Sequence, residues 1–298
     1  MHGMAAPPDE ADGSATVATT PVTTPSRESE GEVTLAREPL REWDAHVYHQ
    51  VSHPQFDWGV VVLDRLPLEG HELVLDVGCG TGRLTEKLLE RLPRGRVVAI
   101  DQSASMVTRA RAHLHPRFAE QVRFVQADAA ALPMAGCADV VFSTATFHWV
   151  LDHPRLFGSV YRALAPGGRL VAQCGGGANV ERLRRRATAL SRDAAFAPFL
   201  GGFQEEWEFA DTATAERRLR EAGFTDVETS LVPSPVRLPD AEAFTAFVAT
   251  AICRSHLACL PDDERRDAFM RRLAELAAVD DVPYELDYWR LNLAARKP

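Results

Sequence analysis

Residues 76–82 read Asp-Val-Gly-Cys-Gly-Thr-Gly and follow the apolar run Leu73-Val74-Leu75, so an acidic, glycine-spaced turn leaves a buried strand. Glycine removes side chains where a ligand must approach backbone closely, and Gly78, Gly80 and Gly82 do so at alternate positions. A dinucleotide-binding turn places its third glycine three positions after its second and offers a helix N-terminus to a pyrophosphate. Here the third glycine comes two positions after the second, and Asp76 would repel a phosphate. The turn suits a cationic nucleoside better. S-adenosylmethionine has a sulfonium, an ammonium and no phosphate, and an Asp at this strand end would stabilise it.

Two further carboxylates extend the constellation. Asp101 closes the run Arg96 to Asp101, 19 residues after Gly82, where an acidic side chain can accept hydrogen bonds from both ribose hydroxyls. Asp128 follows the run Val122 to Ala127 and can accept from an adenine amino group, while Ala129 offers its backbone N–H to the ring. With Gln102 and Ser143 the expected donor-binding set is Asp76, Gly78, Gly80, Gly82, Asp101, Gln102, Asp128, Ala129 and Ser143. The acceptor side begins after the fourth apolar run, in Thr144-Ala145-Thr146-Phe147-His148-Trp149-Val150. His148 is the candidate catalytic residue, as a base for a hydroxyl or amine acceptor, or else it is a pocket wall. Trp149 reads as an acceptor contact or as a core aromatic.

These residues meet only if strand ends and helix starts bring them together. Leu73 to Val77, Arg96 to Asp101, Val122 to Ala127, Ala138 to Thr144 and Arg169 to Cys174 are short, apolar, β-branched-rich runs that predict buried parallel strands. Leu84 to Arg91, with Leu84, Leu88 and Leu92 at four-residue spacing, and Ser103 to Leu114, opened by a capping Ser, predict helices between them. Pro154 starts a further helix, which Pro166-Gly167-Gly168 is expected to end. The fold class is α/β, a Rossmann-like doubly wound sheet with its ligand at the carboxyl ends of the strands. Beyond residue 175 only Asp226 to Val232 and Tyr284 to Ala295 read as strands, a hairpin-like pair around an insertion at about 240–280. Phe244, Phe247, Ile252 and Leu257 in that insertion predict either a lid over the site or plain core packing.

Composition bounds the function. The 298 residues are 46% hydrophobic, enough for one substantial core. A net charge of -9 argues against a dominant nucleic-acid contact, and Arg182, Arg184, Arg185 and Arg186 read as a solvated helix face. No apolar run approaches the ~18 to 20 residues that span a bilayer. Five cysteines without a C-x-x-C pair predict neither a disulfide nor a zinc framework, and a cytoplasmic location follows as the expectation. His46, His49 and His53 recur at helical spacing without a completing carboxylate or cysteine, so a lid surface is expected rather than a metal site. Residues 1–35, rich in Ala, Thr, Ser and Pro, predict a disordered tail. The rest, 36–298, is expected to be one domain, with its core at 70–176 and sheet completion plus helical insertion at 177–298.

Leu73 to Leu84, Ile100-Asp101-Gln102-Ser103, Gln126-Ala127-Asp128-Ala129 and Leu164-Ala165-Pro166-Gly167-Gly168-Arg169-Leu170 resemble the successive signature segments of class I S-adenosylmethionine-dependent methyltransferases. The resemblance implies a seven-stranded sheet with an antiparallel last strand, N-terminal lid helices, and S-adenosyl-L-methionine as cofactor. The Asn- or Asp-Pro-Pro-aromatic motif of enzymes that methylate base amines or Gln side chains is absent, which disfavours nucleic-acid and protein-glutamine substrates. Phe147-His148-Trp149-Val150 with Asp152-His153 is similar to a segment of the trans-aconitate methyltransferase group, and His-Trp-Val also occurs in the juvenile hormone acid methyltransferase group. Tyr48 followed seven residues later by Gln55 resembles a feature of the latter. Both groups esterify carboxylic acids. The resemblance therefore implies a small carboxylic acid as acceptor, bound by Gln55, His148 and Trp149, with Tyr48 closing over the donor. Two alternatives stay open: transfer to a hydroxyl, amine or carbon of a small metabolite, and a non-catalytic S-adenosylmethionine-binding module. The sequence sets no oligomeric state.

Overall fold

The structure, a computed structural model, describes residues 53–298. The tail expected at 1–35, the lid around Tyr48, and His46 and His49 lie outside the described residues, as does the side chain of His53.

The apolar runs form a seven-stranded sheet in the order β3-β2-β1-β4-β5-β9-β6. Its strands are β1 (Leu73–Val77), β2 (Arg96–Asp101), β3 (Val122–Gln126), β4 (Ala138–Thr144), β5 (Leu164–Gly175), β6 (Thr225–Pro233) and β9 (Trp289–Arg296). β1 pairs in parallel with β2 and β4, β2 with β3, and β4 with β5. β9 runs antiparallel between β5 and β6, so the antiparallel strand lies inside the sheet and β6 is its edge. Strand order turns around at β1 and β4, and the crevice outside their carboxyl ends is where open α/β sheets bind ligands.

Helices cover the sheet because each presents one apolar face. α1 (His53–Asp64) packs Val62 and Leu63, and α2 (Arg83–Glu90) packs Leu88 and Leu89, into the same buried cluster. α3 (Ala104–Phe118) begins as expected at Ser103, whose Oγ accepts the Met106 N–H at 3.3 Å. α4 (His153–Ala163) is capped by Asp152, whose Oδ1 accepts the Arg155 N–H at 2.9 Å.

Two expectations need correction. Pro166-Gly167-Gly168 does not end the preceding helix: α4 stops at Ala163, β5 begins at Leu164, and the segment forms a bulge where the register with β4 shifts. A Cβ on Gly168 would stand 2.9 Å from the Ala138 carbonyl oxygen, so close strand packing requires the glycine. The run Tyr284 to Ala295 is not continuous either. Tyr284 takes a left-handed φ of 58°, and Glu285–Leu286 (β8) leaves the main sheet to pair with β7 (Val236–Arg237) before β9 starts.

A second apolar cluster lies in the C-terminal part. It joins α5 (Glu181–Leu190), α6 (Ala197–Leu200), α8 (Ala241–Ala251) and α10 (Asp263–Ala278) through Leu183, Leu190, Leu200, Phe244, Phe247, Phe269 and Leu273. α7 (Thr212–Glu221) packs instead on the sheet through Ala215 and Leu219, and the short α9 (Arg254–Cys259) contributes a buried His256. Phe244, Phe247 and Ile252 are thus core residues, with Leu257 packed against them. No helix among the described residues is long and apolar enough to cross a membrane.

Candidate active site

The glycine turn is held shut by backbone bonds. Gly78 and Cys79 both donate to the Ile100 carbonyl, at 2.7 and 2.9 Å, which pins the turn against β2. Asp101, at the end of that strand, accepts the Gly80 N–H at 3.0 Å and the Ser103 N–H at 2.9 Å.

The three glycines have three different reasons to be glycine. Gly78, at φ 80°, lies beneath Thr146, and a Cβ there would overlap that side chain. Gly82, at φ 85°, faces α3, with Leu114 and Ala110 at 3.0 and 3.3 Å from its would-be Cβ, so it lets two helices pack. Gly80, at φ 54°, has nothing within 4 Å of that position and looks into open space.

Gly80 lines the first cavity, about 680 Å³, together with Gly78, Asp101, Gln102, Asp128, Ala129 and the β4 end Thr144-Ala145-Thr146, with Trp149 at its border, and it lines the recess on the other side of the turn as well. Asp128 caps a short turn, its Oδ1 accepting the Ala130 N–H at 2.8 Å. Six of the expected donor residues therefore face one volume of the size that small ligands occupy. Asp76, Gly82 and Ser143 do not line it. Ser143 is buried and donates to the Val77 carbonyl at 2.7 Å, tying β4 to β1. Asp76 is buried beneath the turn and accepts the Thr85 hydroxyl at 2.6 Å. Burial pushes its carboxyl up to about 7 against the lowering effect of that bond, and the Asp101 charge adds to the rise.

A second cavity, about 480 Å³, opens on the other side of Trp149. Gln55, His148, Asn179, Trp207, Phe209, Ile252, Tyr288 and Arg290 line it, so the expected acceptor residues share one wall. A third recess beside the glycine turn is bordered by Gln55, Phe56, Arg83 and Ala145. Ala145 lines all three, and its φ of 54° is the left-handed conformation an alanine rarely adopts. Tyr48 lies outside the described residues.

The Phe147-His148-Trp149 turn is anchored from three sides. Glu208 N–H donates to the His148 carbonyl at 2.9 Å, and the Gly175 N–H donates to His148 Nδ1 at 3.3 Å. His153 Nε2 bonds the Phe147 carbonyl at 3.2 Å while Arg218 approaches its Nδ1 at 3.0 Å. An Arg can only donate, so Nδ1 accepts and Nε2 carries the proton; burial holds His153 below the ordinary imidazole range. Phe209 and Trp149 flank the His148 ring, with centroids 5.7 and 5.2 Å away.

Sequence reasoning passed over Asn179, Trp207, Phe209 and Arg290. The one available signal was Arg290 itself, a charge between the apolar residues Trp289 and Leu291, since charged residues are almost never fully buried without a partner or a role.

Residues 74–168 match the methyltransferase-domain family. A Deinococcus radiodurans protein is 30% identical over 268 residues, which cover 86% of this chain and 92% of the relative. The chain belongs to the class I S-adenosylmethionine-dependent methyltransferases. The solved phosphoethanolamine N-methyltransferase 2 of Haemonchus contortus has the same fold, with a TM-score of 0.55 at 19% identity, over 85% of this chain and 56% of that one. Within the family the similarity is to trans-aconitate 2-methyltransferases: the Deinococcus protein bears that name, as does an Acidovorax ebreus protein 34% identical over 134 residues. The latter match covers 45% of this chain and about half, 50%, of the relative's length.

Proposed function

We propose that this protein transfers a methyl group from S-adenosylmethionine to a carboxylate oxygen of a small organic acid. The donor fits the first cavity. Gly80 leaves space for a nucleoside, Asp101 and Gln102 stand at the ribose side, and Asp128 with Ala129 stands at the adenine side. When bound, the cofactor supplies an electrophilic sulfonium methyl, which the acceptor oxygen takes as the sulfur–carbon electron pair stays on sulfur.

The observation that carries the choice of acceptor is the bond from the Gly175 N–H to His148 Nδ1. It keeps the neutral ring's proton on Nε2, so His148 presents a donor rather than a base. A carboxylate is ionised at neutral pH and needs no base; a phenol or amine would have to lose a proton. Trp149 borders both cavities, and its indole N–H can only donate, which suits an acceptor oxygen bearing charge. Gln55 borders the second cavity and the recess beside the glycine turn, where its amide would hold the other carboxylate oxygen. The protein's contribution is alignment, worth roughly 7 to 11 kcal/mol when reacting groups are held in near-attack geometry, and a water-poor aromatic wall in which opposite charges that vanish on transfer are not screened.

The test is product chemistry. Purified protein given methyl-labelled donor and a panel of short organic acids should yield label released by mild base, as an ester does. Label that survives base, or appears only with phenols or amines, sinks the carboxylate reading.

A further inference from the structure

The turn that stands between the two cavities is held by side chains that line neither of them. It is a single tight turn, Phe147–Trp149, and Thr146 ahead of it makes no side-chain capping bond, so it needs support from elsewhere. The Phe147 carbonyl accepts the Val150 N–H at 3.0 Å and, from outside the turn, His153 Nε2 at 3.2 Å. The His148 carbonyl accepts the Glu208 N–H at 2.9 Å.

These two outside supports are joined to each other. Arg218 Nη1 carries a pair of hydrogens and donates to Glu208 Oε1 at 2.7 Å and to His153 Nδ1 at 3.0 Å. A closed ring results: it runs from the His148 carbonyl through Glu208, Arg218 and His153 to the Phe147 carbonyl, and the peptide between Phe147 and His148 completes it. Its members come from different elements, His153 from the start of α4, Arg218 from α7 and Glu208 from the segment ahead of α7. His153 is 2% exposed and Phe147 is fully buried, so a bond lost there has no water to replace it. Burial also holds His153 below the ordinary imidazole range, and the ring of bonds needs that neutral imidazole, because a protonated Nδ1 could not accept from an arginine.

The ring reaches the second cavity through the neighbours of Glu208. Trp207 and Phe209 both line that cavity, while the Glu208 carboxylate between them pairs with Arg218. Trp207 packs on Trp149 with centroids 5.8 Å apart, and Phe209 packs on His148 at 5.7 Å. Fixing Glu208 therefore fixes the aromatic wall against the turn, and fixing the two carbonyls sets the turn itself. Trp149, which borders both cavities, inherits its place from these bonds.

We propose that His153 is a positioning residue for methyl transfer, fixing the Phe147-His148-Trp149 turn between donor and acceptor through a ring of hydrogen bonds with Arg218 and Glu208. It acts through the Phe147 carbonyl and touches neither ligand. The proposal rests on the methyl-transfer reading of the two cavities and adds what keeps them in register.

The test separates position from stability. Protein labelled with 5-fluorotryptophan and loaded with S-adenosylhomocysteine gives a fluorine resonance for Trp149, identified by its loss in Trp149→Phe. His153→Phe keeps an aromatic ring against Phe157 and removes both ring-nitrogen bonds, so the resonance should shift. His153→Gln offers an amide N–H to the Phe147 carbonyl and an oxygen to Arg218, and should return it to the wild-type position. Turnover should follow the same order. With an acid that the wild type methylates, kcat should fall roughly 10- to 100-fold in His153→Phe, as misplacement of a reacting group does, and recover in His153→Gln, with S-adenosylhomocysteine affinity unchanged in both. Arg218→Met should match His153→Phe, and the double variant should be no slower than either single one, as for two members of one network; Arg218→Met carries the test if His153→Phe does not fold. A lowered melting temperature with the Trp149 resonance and kcat of the wild type would make His153 a stability residue only and overturn the proposal. So would a His153→Gln variant that behaves as His153→Phe does, or losses that add in the double variant. Failure of the parent reading looks different: no acid is methylated, while the fluorine resonances still decide whether the ring places Trp149.

Discussion

The contrast between Gly78 and Gly80 gives the sharpest test of how the turn works. Both carry positive φ, so an alanine at either costs the left-handed strain of roughly 1 to 2 kcal/mol. At Gly80 that is all the folded protein feels, because nothing lies within 4 Å of the new Cβ. For a domain of this size the melting temperature should drop by roughly 2 to 8 °C. The methyl instead enters the first cavity, where overpacking against a ligand costs about 1 to 3 kcal/mol. S-adenosylmethionine affinity by calorimetry should therefore fall by roughly 5- to 150-fold. At Gly78 the new Cβ overlaps Thr146, a side chain of the protein itself. Strain and overpacking then add, to roughly 2 to 5 kcal/mol of lost stability whether or not donor is present. Adding Thr146→Gly to Gly78→Ala removes the overlapping atoms and should restore the overpacking part, leaving the strain. If Gly80→Ala binds donor as the wild type does, the first cavity is not the donor site. If Gly78→Ala melts like the wild type, or Thr146→Gly rescues nothing, the argument that Thr146 dictates that glycine fails.

Asp101→Ala should weaken S-adenosylmethionine binding by roughly 1.5 to 3 kcal/mol and lower the melting point as well, since its oxygens also hold the Gly80 and Ser103 N–H groups; unchanged calorimetric affinity would remove it from the ribose site. Trp149→Phe keeps the ring and removes one N–H, so acid turnover should drop with donor affinity retained, and no change would return Trp149 to a packing role. Two buried groups set opposing pH slopes. Asp76 holds its proton to about 7 when folded and gives it up near 3.8 when unfolded, so its contribution is full below 3.8 and is lost as pH rises to 7. His256, buried against Phe203 and Phe269, is depressed by burial to about 4 from 6.5, so the unfolded state binds the extra proton between those values and stability rises with pH across them. In denaturant melts at about pH 4.5 and about pH 7, Asp76→Asn should tilt the stability difference toward high pH by about 3 kcal/mol, and His256→Phe should tilt it toward low pH by about 2 kcal/mol. Parallel profiles for wild type and both variants would show that neither group titrates as its burial requires.

Much of the sheet was legible because its strands are buried on both faces. β1, β2 and β4 have the bounds that their apolar runs predict, since each carries a central run of buried apolar residues. The cap at Ser103 was equally local, needing only a side chain and an N–H three residues on. The errors came where distant segments decide conformation. Pro166-Gly167-Gly168 reads as a helix stop, yet pairing with Ala138 draws the chain into a strand first, and the last strand is cut in two because Tyr284 turns left-handed and β8 finds β7.

The site divides along the same line. The sequence by itself determined the lining of the first cavity: Gly78, Gly80, Asp101, Gln102, Asp128 and Ala129 follow strand ends in a parallel sheet, and strand ends in such a sheet must gather at one edge. Three glycines that look alike in the chain acquired separate duties only in three dimensions, one under Thr146, one facing open space, one between helices. The second cavity was only partly legible: Gln55, His148 and Trp149 were expected on it, while its other walls came from the tertiary structure. Gln55, His148, Asn179, Phe209, Ile252 and Arg290 come from segments spread over more than two hundred residues, and no local periodicity records their meeting. What brings them together is the burial of the second apolar cluster against the sheet, a non-directional force that rewards any apolar face and leaves the polar residues between those faces to be placed by the packing.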